Sequence, residues 1–479
     1  MKLSLHTLGM AWNAVATPID VAIAIIISAH VLLTKRDIGS AIGWIGLACV
    51  APVWGAVLYF VFGINRVERR ARKLRRGRPH DERETRAPAA DIPEHFRPME
   101  RATRRITSRT ASAGNSFAML ENGDAAYPAM LAAIAGARTS VALSSYIMRA
   151  DEAGEPFIAA LAAAHARGVQ VRVLVDGIGS GYFSSPAYRA LCQQGVPAAR
   201  FLHSPLPWRM PFLNLRTHKK ILVVDGCIGF TGGMNIAHQN QVAQNPPDPV
   251  RDTHFRVDGP VVEQLAEAFA RDWSFITDED LDGDAWFPGV QEVGSKRDKP
   301  PVARVVTSGP DGDIEKIEFV MLEAIGCARR RIRLMTPYFL PSERLITALA
   351  MASIRGIEVD VVVPRKSDHM LVDWSLFAHV GPLLKDGVRI WRNPQPFEHT
   401  KLLVVDSEWC MIGSANWDMR SLRLNFELNV EVYDPDLAAE LEAIMAARMR
   451  TRLTDRDLTS RPLPIRLRDA ATRLLVPYL

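Results

Sequence analysis

Cysteine is scarce and unpatterned in this 479-residue chain. The five cysteines (Cys49, Cys192, Cys227, Cys327 and Cys410) are scattered, odd in number and never in a C-x-x-C spacing. This excludes a disulfide scaffold and a cysteine-based zinc site, and makes a reducing compartment the simpler reading. Net charge is nearly absent as well: 58 Lys+Arg oppose 53 Asp+Glu, for +5 overall. Even that surplus is local. Residues 64–110 carry 15 basic and 7 acidic side chains, which leaves the rest of the chain at −3. A nucleic-acid-binding surface is therefore not expected. No carboxylate cluster suited to a two-metal site stands beside any motif, so neither a metal nor another cofactor is expected. Apolar material is not lacking: 48% of residues are hydrophobic, which excludes wholesale disorder. At about 150 residues per domain, the length predicts roughly three units.

The first unit reads as membrane. Residues 41–63, AIGWIGLACVAPVWGAVLYFVFG, hold no charge over 23 positions. At about 1.5 Å per residue such a helix crosses a hydrocarbon core of about 30 Å. Upstream, VAIAIIISAHVLL (21–33) is shorter unless it extends back through Asp20 and Pro18 to Trp12. Only Thr34–Gly39 separates the two, so residues 1–64 are expected to form a two-helix transmembrane hairpin. A cleaved signal peptide fits less well, because no small-residue cleavage site precedes Lys35-Arg36. Eight Arg/Lys lie between Arg66 and Arg78, against Lys35 and Arg36 in the inter-span loop. The positive-inside rule then puts both termini and the long carboxy-terminal part in the cytoplasm. The same basic run attracts anionic head groups, at about 1 kcal/mol per residue near the surface. Residues 65–110, rich in Arg, Pro, Ala and Thr, read as a membrane-proximal linker.

The remainder is a duplication. FIAALAAAHARGVQVRVLVD (157–176) gives a helix, an Arg-Gly stop and a strand, and LITALAMASIRGIEVDVVVP (345–364) repeats the arrangement. HKKILVVDGCIGFTGGMN (218–235) answers HTKLLVVDSEWCMIGSAN (399–416). The near-constant offset means two copies of one α/β unit, over residues 111–290 and 291–479.

Each copy carries H-x-K-x₄-D, as His218, Lys220, Asp225 and His399, Lys401, Asp406. Side chains alternate along a strand, so His218 and Lys220 should face one way and Asp225 the other; the second copy obeys the same parity. The aspartates close each strand before a turn and are expected to be structural members of the motif. Next come Gly232-Gly233-x-Asn235 and Gly413-Ser414-x-Asn416. Their backbone N–H groups and amides are expected beside the histidines, where they would suit a developing oxyanion. Paired imidazoles, ammonium groups and amides fit a phosphodiester better than an acyl group. One neutral histidine attacks phosphorus, the other protonates the leaving alkoxide, and the lysines offset charge on the non-bridging oxygens. Asp252 and Glu427, 34 and 28 residues after their respective histidines, are the candidates to hold the far ring nitrogens.

These motifs, together with VRDTH, TPYFLP (336–341), GSANWDMRS (413–421) and LNFEL (424–428), resemble the phospholipase D superfamily, and within it the bacterial cardiolipin synthases. The resemblance implies two tandem phospholipase D-like α/β/α units related by a pseudo-twofold axis, which brings the histidines to one site. It implies transphosphatidylation, in which two phosphatidylglycerols give cardiolipin and glycerol through a phosphohistidine. His218 resembles the family nucleophile and His399 the general acid, with Asp252 and Glu427 orienting them. It also implies phospholipid substrates, no cofactor, and a multi-pass protein of the bacterial inner (plasma) membrane with cytoplasmic catalytic domains. A membrane-bound phospholipase D that hydrolyses phospholipids is the alternative, and oligomeric state is not legible. Gly233 in one copy and Ser414 in the other make the halves inequivalent, so Ser414 is read as serving one half-reaction only.

Overall fold

The computed structural model describes residues 5–35, 38–60, 92–203, 215–289, 299–310 and 313–476. It divides into two units, Met1–Leu74 and Arg75–Leu479.

In the first unit, α1 (Leu5–Thr34) is followed by α2 (Ile38–Val50) and α3 (Pro52–Leu58). Ile27, Val31, Ala48 and Tyr59 pack together, and His30 Nδ1 lies 2.7 Å from the Tyr59 hydroxyl. The single span expected over 41–63 is therefore broken. Pro52 has no N–H and disfavours the α region for its predecessor, and Ala51 stands at φ −143°, ψ 75°. The shorter of the two expected spans proves to be the longer helix, because Pro18 sits inside α1 without ending it. Among the described residues only α1, through Thr17–Thr34 with mean hydropathy 1.9, is long and apolar enough to cross a bilayer. The basic run Arg66–Arg78 lies outside the described residues.

The second unit holds two large sheets and two short two-stranded pairings. In the first copy the strands are β1 (Ser116–Glu121), β2 (Ser140–Ser145), β3 (Gln170–Asp176), β4 (Ala198–Phe201), β5 (Ile221–Val224), β6 (Ile228–Gly232), the two-residue β7 (Val250–Arg251) and β8 (Thr253–Asp258). In the second they are β9 (Val302–Ser308), β10 (Arg331–Met335), β11 (Phe339–Leu340), β12 (Glu358–Pro364), β13 (Arg389–Asn393), β14 (Phe397–Glu398), β15 (Leu402–Val405), β16 (Trp409–Gly413), β17 (Trp417–Asp418), β18 (Glu427–Tyr433) and β19 (Thr451–Leu453). The first sheet runs β1-β8-β6-β5-β2-β3-β4 and the second β9-β18-β16-β15-β10-β12-β13-β19. Strand for strand the order is the same, with β19 added at one edge. The repeat in sequence is thus a repeat in topology, and the fold is two phospholipase D-like α/β units in tandem.

Apolar helix faces cover each sheet. Phe157, Leu161 and Ala164 of the Gly154–Ala166 helix share a core with Val171 and Val173 of β3. Leu345, Leu349 and Ala352 do the same against β12. Part of the expected linker belongs to this architecture. Helix α4 (Arg97–Thr107) and the turn before it set Phe96 and Met99 into the second copy's core beside Ile317 and Val320. Composition there reads as solvated, but the two apolar residues fall where the helix buries them.

β5 and β15 each end in a tight turn on the motif aspartate. Asp225 and Asp406 adopt φ 53° and 55°, and the next residues, Gly226 and Ser407, are also at positive φ. Cys227 N–H and Glu408 N–H close the turns onto Val224 and Val405 carbonyls. The Asp406 carboxylate accepts from the backbone N–H groups of Arg329, Arg330 and Arg331 at 2.8–2.9 Å. Asp225 accepts likewise from Arg138, Thr139 and Ser140. The two carboxylates therefore fix where β10 and β2 begin. Asp406 is buried and Asp225 is half-exposed. Asp406→Ala strands three N–H groups and should cost about 3 kcal/mol or more. Asp225→Ala, where water can substitute, should cost less. Denaturant midpoints of the detergent-solubilised protein, followed by near-ultraviolet circular dichroism, check this; equal losses would contradict it.

Candidate functional site

The two H-x-K segments do not lie inside regular strands. Residues 215–220 and 399–401 precede β5 and β15 as extended chain, and each pairs across to the other copy. His218 N–H donates to the Phe426 carbonyl at 2.8 Å, and Phe426 N–H donates to the Arg216 carbonyl at 2.8 Å. In the other half β14 pairs in parallel with β7, and His399 N–H donates to the Arg251 carbonyl at 2.7 Å. Phe426 and Arg251 immediately precede Glu427 and Asp252. The chain thereby delivers each carboxylate to the opposite copy's histidine.

That crossing corrects the expected pairing. His218 Nδ1 lies 3.0 Å from both Glu427 oxygens, and His399 Nδ1 lies 2.7 Å from Asp252 Oδ2. Each carboxylate was expected to serve the histidine of its own copy, and neither does. The two rings face each other with centroids 6.5 Å apart at 85°. Both line a cavity of about 1200 Å³.

The remaining motif residues fall on two sides. Lys220 and Lys401 are buried, their Nζ atoms donating to the carbonyls of His218 and His399. Lys401 Nζ is also 3.1 Å from His399 Nε2. Lys219 points away to Asp272, 2.7 Å distant, as parity requires. Asp225 and Asp406 stand at the far ends of β5 and β15, away from the rings. Asn235 and Asn416 line the cavity; Asn235 Oδ1 accepts from Ile147 N–H, and Asn416 Nδ2 donates to Ser421 Oγ.

The Gly233 and Ser414 N–H groups do not serve as the expected oxyanion donors. Gly233 N–H donates to Thr253 O and Ser414 N–H to Leu428 O, so both are spent on their sheets. These positions act on the carboxylates instead. Ser414 Oγ donates to Glu427 Oε2 at 2.5 Å, while Asn425 Nδ2 donates to Oε1 at 3.1 Å. At Gly233 a Cβ would fall 2.4 Å from Asp252 Oδ1. The Gly/Ser difference thus follows the carboxylates: the glycine leaves room for Asp252, and the serine hydroxyl fixes Glu427.

Electrostatics separate the two pairs. Burial pushes the His218 imidazole well below its ordinary value, and neighbouring Lys220, Lys401 and His399 push the same way. Burial also lowers His399, joined by Lys401, but Asp252 opposes the shift. Burial raises Glu427 to about 7 despite Lys220, Ser414 and Asn425. Burial alone would raise Asp252 too, yet Lys401, His399 and the Thr253 N–H outweigh it and hold this carboxyl below its usual range. Asp252 is thus firmly ionised behind His399, and His218 is held neutral.

Sequence reasoning missed four cavity residues. Tyr146 packs edge-on to His218 with centroids 4.9 Å apart, and Tyr338 lies 6.3 Å from His399. Their repeat, SSY against TPY, was available as a signal. Arg216 and Arg420 also line the cavity; Arg216 stands two residues before His218, and Arg420 lies within the NWDMRS run.

Lys401 supplies a pH test. Burial brings its ammonium down to about 8, against the raising effect of Asp252 and Glu427. Below that pH the cation is present and above it the charge is lost. The profile of kcat/KM, which reports the free enzyme, should therefore fall through an alkaline limb near pH 8. Burial lowers Lys220 as well, so the plateau should extend beyond about pH 10 only when both lysines are replaced by arginine, whose cation does not titrate. An alkaline limb unchanged in a folded Lys220→Arg/Lys401→Arg variant would remove the two lysines from the reacting charges.

Residues 130–273 and 321–449 match the family described as cardiolipin synthase, PLD-like domain. A cardiolipin synthase of Geobacillus kaustophilus is 31% identical over 471 residues, covering 95% of this chain and 91% of that protein. The major cardiolipin synthase of Bacillus subtilis is 31% identical over 96% of this chain and 97% of its own length. Cardiolipin synthase A of Pseudomonas fluorescens is 33% identical over 87% of each. Among solved structures, a phosphatidylserine synthase of Haemophilus influenzae superposes with a TM-score of 0.59 at 16% identity, covering 80% of this chain and 100% of that one, a likeness of fold. Matched in both halves by the family and along nearly its whole length by these relatives, the chain belongs to the cardiolipin synthase family of phospholipase D-type enzymes.

Proposed function

We propose that the protein transfers a phosphatidyl group from one phosphatidylglycerol to another, releasing glycerol and forming cardiolipin through a phosphohistidine on His218. The observation that carries this reading is the pair of facing imidazoles, each backed by a carboxylate, at 6.5 Å centroid separation in one cavity. A phosphodiester bound between the rings can meet a nucleophile on one side and a proton donor on the other.

His218 is the nucleophile in this reading because burial, with Lys220, Lys401 and His399 acting the same way, keeps it neutral. Its Nε2 attacks phosphorus, and the bond from phosphorus to the glycerol oxygen breaks. His399, as imidazolium, gives its proton to that oxygen. The ionised Asp252 and the arriving phosphate anion both favour the protonated form of His399. In the second half-reaction His399, now neutral, takes the proton from the acceptor's glycerol hydroxyl. The hydroxyl oxygen bonds to phosphorus, the P–N bond breaks and His218 is restored. Glu427 offsets the positive ring while it carries the phosphatidyl group, with Ser414 fixing that carboxylate. Lys220 and Lys401 supply positive charge to the non-bridging oxygens, helped by the Asn235 and Asn416 amides. Asp225 and Asp406 act through the fold. The amino-terminal hairpin holds the enzyme in the bacterial plasma membrane with both halves on the cytoplasmic side.

Quenched turnover with radiolabelled phosphatidylglycerol tests the scheme. Given a labelled phosphatidyl donor with a nitrophenyl leaving group, which needs no proton, His399→Asn should accumulate label on the peptide containing His218, because release needs the missing base. His218→Asn should form neither label nor cardiolipin, and the native enzyme should keep its activity after exhaustive treatment with EDTA. Phosphatidic acid as the sole product would make the enzyme a hydrolase. Loss of activity to EDTA, restored by one divalent ion, would contradict the charge assignment to the lysines.

A further inference from the structure

The cavity breaks the pseudo-twofold symmetry in one respect that the reaction scheme does not use. Two positions before His218 stands Arg216, and two before His399 stands Phe397. Four positions after Asn416 stands Arg420, and four after Asn235 stands Gln239. All four line the cavity. Because the carboxylate segments cross, Arg420 of the second copy comes to the flank of His218 together with Arg216 of the first. That flank carries two guanidinium groups where its counterpart carries a phenyl ring and an amide.

The guanidinium groups are not consumed by the fold. Arg216 Nη1 donates to the Tyr146 hydroxyl at 2.7 Å, and Tyr146 lies against His218. Among the described residues Arg216 Nε and Arg420 Nη2 are buried with no hydrogen-bond partner. The nearby carboxylates are committed elsewhere. Asp176 accepts from the backbone N–H groups of Ile178, Gly179 and Thr217, and Asp418 accepts from Ser421 N–H and Oγ. Burial, with Arg216 close by, lowers the Arg420 guanidinium although Asp418 and Asp176 act to raise it. Holding two like charges in one buried space remains costly, and an anion that both guanidinium groups can hydrogen-bond would relieve it. On the opposite flank Tyr338 donates its hydroxyl to Asp368 instead. Arg149 and Lys366 also line the cavity, but both are exposed.

The reacting phosphate already has Lys220 and Lys401. We propose that Arg216 and Arg420 form a second phosphate subsite, which takes the phosphodiester of the acceptor phospholipid while its glycerol hydroxyl meets the group held between His218 and His399. This rests on the phosphatidyl-transfer reading above and adds a selection rule to it: the preferred acceptor is an alcohol carrying its own phosphate. One tyrosine ring and one hydrogen bond lie between His218 and Arg216, and one glycerol bridge lies between the two phosphates of the product. A guanidinium is the better group for this task, because its planar fork meets two phosphate oxygens at once.

Competition between two acceptors for one intermediate provides the test. Detergent-solubilised full-length enzyme is given phosphatidylglycerol and ethanol together, and the ratio of cardiolipin to phosphatidylethanol is measured by mass spectrometry. Both products come from the same phosphatidyl-enzyme, so changes in folded fraction or in the first step cancel. Arg216→Gln and Arg420→Gln should each lower the ratio about tenfold or more, the loss expected for hydrogen bonds to a charged group. An unchanged ratio in both variants would overturn the subsite. A ratio that falls as far when millimolar inorganic phosphate is added to the native enzyme would reassign the pair to a free anion and overturn the lipid assignment. If the native enzyme forms neither product from phosphatidylglycerol, it is the transfer reading that fails, and the two failures are distinct.

Discussion

The site depends on two carboxylates that cross from one half of the chain to the other. Glu427 reaches His218, Asp252 reaches His399, and short extended segments beside each carboxylate hydrogen-bond to the chain just before the opposite histidine. A buried imidazole without such a partner would be free to turn and to take the wrong tautomer. Neither half can build its own dyad, so two complete α/β units are needed for one reacting centre. Sheets of identical strand order then serve mainly to hold four side chains across a pseudo-twofold axis. The motif aspartates contribute from the far end of the strand, by fixing where β2 and β10 begin.

The symmetry is incomplete where chemistry requires it to be. Two identical dyads would give a nucleophile and a proton donor with the same proton affinity. Here the longer Glu427, steadied by Ser414 and raised to about 7 by burial, backs a histidine kept neutral. The shorter Asp252, held ionised beside Lys401, backs the histidine better able to hold a proton. Gly233 is glycine because any side chain would strike Asp252. A difference of one residue between the repeats thereby fits the division of labour proposed for the histidines.

Much of this was legible in the sequence, and the failures share a cause. Repeated H-x-K-x₄-D and equal spacing gave the duplication, the α/β class and the residues that gather, because strand periodicity and repetition are local signals. The crossed pairing was not legible: spacing along the chain links Asp252 to His218, while the parallel β7–β14 pairing links it to His399. The glycine-run N–H groups looked available because a sequence does not show that Gly233 and Ser414, just past the ends of β6 and β16, donate to carbonyls of β8 and β18. Arg216 and Arg420 were overlooked for the same reason, being 204 positions apart in the chain and joined only through the fold. In the amino-terminal unit, composition identified apolar helices but did not weigh the break at Ala51-Pro52 against the continuity through Pro18.

A double-mutant cycle on the unfolding free energy of the detergent-solubilised protein tests the crossed arrangement most directly. Five variants are needed: His218→Gln, His399→Gln, Glu427→Gln, and the two doubles that combine Glu427→Gln with each histidine change. Direct contact at 3.0 Å predicts coupling of about 2 kcal/mol between His218 and Glu427, larger than that between His399 and Glu427. Stronger coupling within a copy, between Glu427 and His399, would contradict the crossed dyads and the assignment of His218 and His399 to different roles.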